Sequence, residues 1–299
     1  MSLNPVFVCG TGRSGTTIFT KLLGFHPDVW AFKWESQVFA GKPGLADLVI
    51  SGFNPPQIEK FRDLVLSHLF KRSPRGAYDA GLFEIISAQG LDDALTTLTD
   101  ELIGQGGMDS KIESCRKFSD TIFLPPALKE GATLWCEKTP RNLLFADIIA
   151  IIYPEAKFIN VVRDGRDVIS SILEKKFWPV TGSRRYPNTQ KFSGEVTFEK
   201  VVNYWNILID IGRLQESQLG AARWFNVRLE DITNDPERAF ELVFDFLEIS
   251  KAPAFFDGLR KRIRPASGER WKRDLSDAQV EKVMNVSGIN LQRFGYQLA

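Results

Sequence analysis

The sequence predicts an α/β fold, a parallel sheet flanked by helices in three layers, with a helical insertion. Three observations predict it. Short apolar runs of strand length stand at 5–9, 133–136, 157–162 and 223–229. Each leads into turn or cap residues and then into a helical pattern, the alternation of a sheet with crossover helices. The first run also opens directly onto a glycine-rich turn at the start of a helix.

Taken in order, helical spacing fits 16–24, 141–153, 166–176, 197–219, 236–247 and 276–287, with starts marked by Asn234-Asp235-Pro236 and by Ser276 with Asp277. Between about 40 and 130, Pro43-Gly44, Pro55-Pro56 and Pro74 break helix-like stretches at 57–70 and 91–103. With no clear linker on either side, this region is expected to be a helical insertion in one domain spanning 1–299. Residues 178–196 are rich in Pro, Gly, Ser, Arg and aromatics; a loop that long is usually disordered or functional, and it is a candidate lid.

Composition narrows the function. Lys plus Arg (38) nearly balances Asp plus Glu (37), so no global field favours nucleic acid or an anionic membrane, and anion recognition must come from a local cluster. Cys9, Cys115 and Cys136 lack metal-ligand spacing and are expected to be reduced structural thiols. With His26 and His68 the only histidines, a His-rich metal site is not expected, and His26-Pro27 at a helix end points to a structural role. No segment has the length of a membrane span, and no basic region followed by a signal core is seen ahead of the first strand near Pro5; the expectation is a soluble cytoplasmic protein.

Three motifs carry the chemistry. Gly10-Thr11-Gly12-Arg13-Ser14-Gly15-Thr16-Thr17 follows the first run, so backbone N–H groups and a helix N-terminus can surround one anion. The frame makes the fold class P-loop-type, but Thr16 stands where a nucleotide-hydrolysing protein has Lys. That points to a single phosphate here, with Arg13 supplying the charge. Arg163-Asp164-Gly165-Arg166-Asp167 closes the third run, with Ser171 on the following helix; a guanidinium and a hydroxyl so placed can converge on a phosphate, or the cluster caps a helix. Glu137-Lys138-Thr139-Pro140 closes the second run, with Glu137 a possible partner that holds Lys138 in place. Open α/β sheets bind ligands at the strands' carboxyl ends, where Arg13, Lys138 and Arg163 all stand.

These residues together resemble the sulfotransferase superfamily, especially bacterial members similar to protein-tyrosine sulfotransferases. The resemblance continues through His26-Pro27-Asp28-Val29, Arg228-Leu229-Glu230-Asp231, Arg270-Trp271-Lys272 and Gly295-Tyr296, and leaves out 40–130 and 178–196. It implies the donor 3′-phosphoadenosine-5′-phosphosulfate (PAPS), the product adenosine 3′,5′-bisphosphate (PAP) and no metal. Arg13, Ser14, Gly15, Thr16 and Thr17 would hold the 5′ end, and Arg163 with Ser171 the 3′-phosphate. Lys175 stands where a further donor-phosphate arginine is found, Arg270 fits a basic residue that folds over the donor, and Leu229 replaces a tyrosine that meets the adenosine. Arg13 and Lys138 would face the transferring sulfuryl, and Glu35 matches the family's glutamate base with one residue inserted; its alternative is a surface carboxylate.

The acceptor would be a small-molecule or carrier-bound hydroxyl. Phe32, Trp34, Phe177, Trp178 and Tyr186 would line its cleft or belong to the core. A P-loop kinase using ATP and Mg²⁺, and a non-catalytic nucleotide sensor, share parts of this pattern.

Overall fold

The computed structural model describes residues 3–69, 81–263 and 269–298. Pro74 and the side chain of His68 lie outside the described residues. Strands β1 (Asn4–Gly10), β2 (Val29–Ala31), β3 (Leu134–Lys138), β4 (Lys157–Val162) and β5 (Trp224–Arg228) form a parallel sheet in the order β2-β3-β1-β4-β5. Val8 of β1 is in register with Lys138, and Trp30 of β2 with Trp135. β2 was not foreseen, because three residues are too short to show a strand period. β3 runs to Lys138, two residues past its apolar run.

Thirteen α-helices are described: α1 (Thr16–Leu23), α2 (Leu45–Ile50), α3 (Pro55–Leu64), α4 (Ala88–Ile103), α5 (Met108–Lys129), α6 (Ala146–Ile152), α7 (Gly165–Lys175), α8 (Phe198–Leu219), α9 (Leu229–Asn234), α10 (Pro236–Leu247), α11 (Pro253–Arg262), α12 (Trp271–Asp274) and α13 (Asp277–Arg293). The expected helix at 141–153 divides into a 3₁₀ turn, Pro140–Leu144, and α6. The stretch at 57–70 ends as a π segment, Val65–Leu69. α5 runs through Pro125 and Pro126, which supply no N–H to its last two turns. Asp235 caps α10 by accepting from the Arg238 N–H at 3.2 Å, and Ser276 opens α13 with a capping box to Gln279.

Two compact units share the chain. One comprises Met1–Val8 and Thr20–Phe158. Its core is aromatic: Phe123 stacks on Trp135 at 4.9 Å, while Phe7 packs on Phe39, Trp135 and Phe158. The insertion packs α4 against α5 within this unit. The other comprises Cys9–Phe19 and Ile159–Ala299. There α7 and α13 pack on α8, and α10 buries Ala239, Phe240, Val243, Phe244 and Leu247, one apolar stripe at helical spacing. Each large side chain of that stripe adds about 1.5–3 kcal/mol of burial.

In the second unit, residues 178–196 are a folded segment. Val180, Ser183, Thr189 and Phe192 are buried, and Thr189 closes a turn by accepting the Ser183 N–H at 2.9 Å. All three cysteines are buried free thiols.

Candidate active site

The glycine-rich loop belongs to the second unit. Gly12, Arg13 and Gly15 have φ of 71°, 56° and 92°, so the backbone curls through left-handed turns. At Gly12 a Cβ would run into Pro179, and at Gly15 into Leu229, so glycine answers both the conformation and the space. Such turns direct successive N–H groups to one side, an anion-binding concavity. Arg13 is a non-glycine residue held in this strained region. Its side chain is exposed, and its Nε donates to Ser171 Oγ at 3.0 Å. The Tyr204 hydroxyl braces the loop, donating to the Thr11 carbonyl and accepting the Val180 N–H at 3.1 Å.

Arg163 follows β4 and reaches the same loop, its Nη1 donating to the Arg13 carbonyl at 3.3 Å and its Nη2 to Asp167 Oδ2 at 3.1 Å. Arg13, Arg163 and Ser171 are thus brought together as the sequence suggests. Two polar atoms here are buried with no hydrogen-bond partner among the described residues: Ser14 Oγ and Arg163 Nε. An unpaired buried polar group costs about 1–3 kcal/mol, and an anion in the loop would relieve both.

The turn after Arg163 is tightly determined. Asp164 caps α7 through the Arg166 N–H at 2.9 Å and holds the Arg166 guanidinium, which lies 4.1 Å over the Trp271 ring. Asp164 N–H donates to Glu230 Oε1 at 3.0 Å, and the Tyr296 hydroxyl donates to Glu230 Oε2 at 2.8 Å. Burial pushes the Glu230 carboxyl up. The helix-capping alternative for this cluster therefore also holds, alongside the phosphate-binding geometry. Trp271 N–H donates to the second oxygen of Asp167 at 3.1 Å. Lys175 and Arg270 converge elsewhere, on Glu174, at 3.2 and 3.0 Å, and Arg270 also pairs with Asp274. Asp167 is the residue that sequence reading missed; the available signal was its place four residues after Arg163.

In the first unit, Lys138 ends β3 nearly buried, and its Nζ lies 2.9 Å from Glu35 Oε1. The structure thus joins the proposed base and cation. It corrects the suggested Glu137–Lys138 pair: neighbours on a strand point to opposite faces. Glu137 is fully buried and instead accepts from the Ser36 N–H and hydroxyl at 3.1 and 2.7 Å, the Thr139 hydroxyl at 2.7 Å and Asn142 Nδ2 at 2.7 Å. Burial pushes this carboxyl up, against the pull of those bonds. Its bonds fix the residue after Glu35, and so the Glu35 backbone beside Lys138. Arg141, whose pKa burial lowers to about 10, donates to the Ala40 and Gly41 carbonyls. His26 is buried, with Nδ1 accepting the Asp28 N–H at 3.1 Å, a structural use.

Of the aromatic candidates, Phe32, Trp34 and Trp178 are engaged in packing. Phe32 lies in the first core against Trp30 and Phe123, and Trp34 covers Gly81. Trp178 packs on Phe192 and Tyr204, and Tyr186 receives a bond from Gln215 at 3.1 Å. Among the described residues, no group of three or more His, Cys, Asp or Glu could hold a metal ion, and no helix is long and apolar enough to cross a membrane.

The chain is 24% identical over 287 residues to a protein-tyrosine sulfotransferase of Drosophila melanogaster, covering 95% of this chain and 46% of that protein. It is 22% identical over 317 residues to the nodulation protein NoeE of Sinorhizobium fredii, covering 97% and 65%. The chain thus spans about half to two thirds of the length of these curated relatives. Two solved structures share the fold: the sulfotransferase domain from the curacin biosynthetic pathway, with TM-score 0.55, 16% identity and coverage of 100% and 99%, and sulfotransferase STF9 from Mycobacterium avium, with TM-score 0.53, 15% identity and coverage of 99% and 78%. The family model described as "Sulfotransferase family" matches residues 5–253, and with that match the chain belongs to the sulfotransferase family.

Proposed function

We propose that this chain is a PAPS-dependent sulfotransferase that moves a sulfuryl group to a hydroxyl acceptor by in-line displacement. The observation that carries the reading is the loop itself: Arg13 in place of the usual lysine chemistry, bonded to Ser171, with Ser14 Oγ and Arg163 Nε buried and unpartnered beside it. Arg163 and Ser171 would take the 3′-phosphate, and residues 13–17 the 5′ end. Lys175 and Arg270 would join them by exchanging Glu174 for a phosphate.

Bound PAPS supplies an activated sulfur and a phosphate leaving group. The chain's residues position and stabilise, as in phosphoryl transfer. Glu35 takes the acceptor's proton while the acceptor oxygen bonds to sulfur. Arg13 and Lys138 stabilise the electron pair that stays on the departing phosphate oxygen, leaving PAP. Glu137 keeps Glu35 and Lys138 in register. The acceptor is a small-molecule or carrier-bound hydroxyl, and the protein-tyrosine relatives make a phenol the first class to try.

The test is thermal stabilisation by PAP, by AMP and by ATP with Mg²⁺, in wild type and Arg163→Ala. Ligand at about 100 times its Kd adds about 2.7 kcal/mol. A large shift with PAP alone, mostly lost in the variant, supports the reading; a shift with ATP and Mg²⁺ alone replaces it with a kinase. Tight PAP binding without turnover across a panel of phenols and alcohols would favour the non-catalytic sensor.

A further inference from the structure

We propose that Asp167 is a positioning residue that sets this chain's preference for an adenosine nucleotide bearing a 3′-phosphate. The inference rests on the donor-site reading above and concerns which residue aims Arg163. Asp167 is 2% exposed, on the first turn of α7. Asp167 and Ser171 stand one turn apart on α7 and share a face, and Arg163, just before the helix, reaches back to Asp167 with its side chain. One carboxylate oxygen takes Arg163 Nη2 and the other takes the Trp271 N–H, both at 3.1 Å.

The Arg163 guanidinium is a planar fork whose rotation decides which N–H groups face a ligand. Asp167 and the Arg13 carbonyl hold its two Nη groups, leaving Nε as the buried donor without a partner. The same carboxylate ties Arg163 to the turn that carries Arg270, since Trp271 is the next residue. Asp167 thus holds the Arg163 side chain and the backbone next to Arg270, whose own guanidinium pairs with Glu174 and Asp274.

A carboxylate beside a phosphate site also repels the phosphate, so orientation and charge make opposite predictions. The buried, bidentate geometry favours orientation. Asp167→Asn keeps the shape but has one acceptor for two donors, so either Arg163 or the Trp271 N–H loses its partner.

Binding of PAP and of AMP to the whole chain, followed calorimetrically, separates the two. In Asp167→Asn the preference for PAP over AMP should fall about tenfold or more, the scale of a hydrogen bond to a charged group, with AMP affinity held within about threefold. In the double variant with Arg163→Ala the loss should not add, because Asp167 acts through Arg163. Unchanged or tighter PAP binding in Asp167→Asn overturns the proposal, and so does parallel loss of PAP and AMP. Melting of each variant without nucleotide, with Asp167→Ser as a second substitution, reports folding; if both variants unfold, Asp167 is a stability residue and the proposal fails. A wild-type chain that does not prefer PAP to AMP overturns the donor reading itself, whereas a preference that survives in Asp167→Asn sinks only this inference.

Discussion

Glu137 accepts from Ser36, the residue after Glu35, yet the two carboxylates are put to different uses. Glu35 is partly exposed and paired with Lys138, so its carboxylate is accessible to a substrate proton. Glu137 is sealed and saturated with donors, which suits holding a backbone in place. Two outcomes follow at this scale. Glu35→Gln should lower kcat with a phenol acceptor by about 10²- to 10⁴-fold while PAP affinity is kept, as steady-state kinetics and calorimetry would show. Glu137→Ala should lower kcat and also speed amide hydrogen exchange at Ser36, with Glu137→Gln less affected because Asn142, whose Oδ1 has no partner among the described residues, can turn its amide to meet the new donor. Arg13, Lys138 and Arg163 were legible in sequence as cations after strand ends, whereas the bonds of Arg13 to Ser171 and of Glu35 to Lys138 were not foreseen. The partners of Glu137 were not either, since Ser36 lies about a hundred residues away and nothing local marks that bond.

At the level of elements, the loop depends on what braces it from behind. Tyr204 on α8 joins the Thr11 carbonyl to the Val180 N–H, so one hydroxyl ties the loop to the segment 178–196. Tyr204→Phe should cost about 1–3 kcal/mol in urea unfolding, the penalty of leaving buried backbone groups unpaired, and should weaken PAP binding without touching Glu35 chemistry. Gly165 opens α7 against the face of Trp205, where a Cβ would collide with the indole. Gly165→Ala should therefore destabilise by about 1–3 kcal/mol on the same measurement. Strands β1, β4 and β5 and helices α7, α8 and α10 were readable because their apolar period matches their burial. β2 was too short, α5 shows little apolar periodicity, and α6 was shortened by the turn that Pro140 starts. The segment 178–196 gave no period to read, and its order comes from bonds such as Ser183 to Thr189 within it and Val180 to Tyr204 on α8.

Across the whole molecule, several carboxyls are buried at a cost. Burial raises Glu137, Glu230 and Asp120 above their ordinary values. A carboxyl raised in the folded state binds its proton more tightly there than in the unfolded chain. Each therefore subtracts from stability as pH rises from the ordinary carboxylate range, about 4, toward its folded value. Glu230→Gln removes that dependence, so its stability relative to wild type should improve between about pH 4 and pH 7 in urea titrations. An unchanged difference across that range would mean Glu230 is not raised. The cysteines carry a second consequence. Burial lifts Cys115 to about 12 and Cys9 and Cys136 beyond the usual thiol range, so the native chain offers almost no thiolate to an alkylating reagent. Each thiol then works as a clock hand that advances only when its surroundings open. Cys9 lies in the unit that carries the loop, and Cys115 and Cys136 lie in the other. Site-resolved alkylation would time the breathing of each unit separately, and PAP should slow Cys9 before it slows the other two.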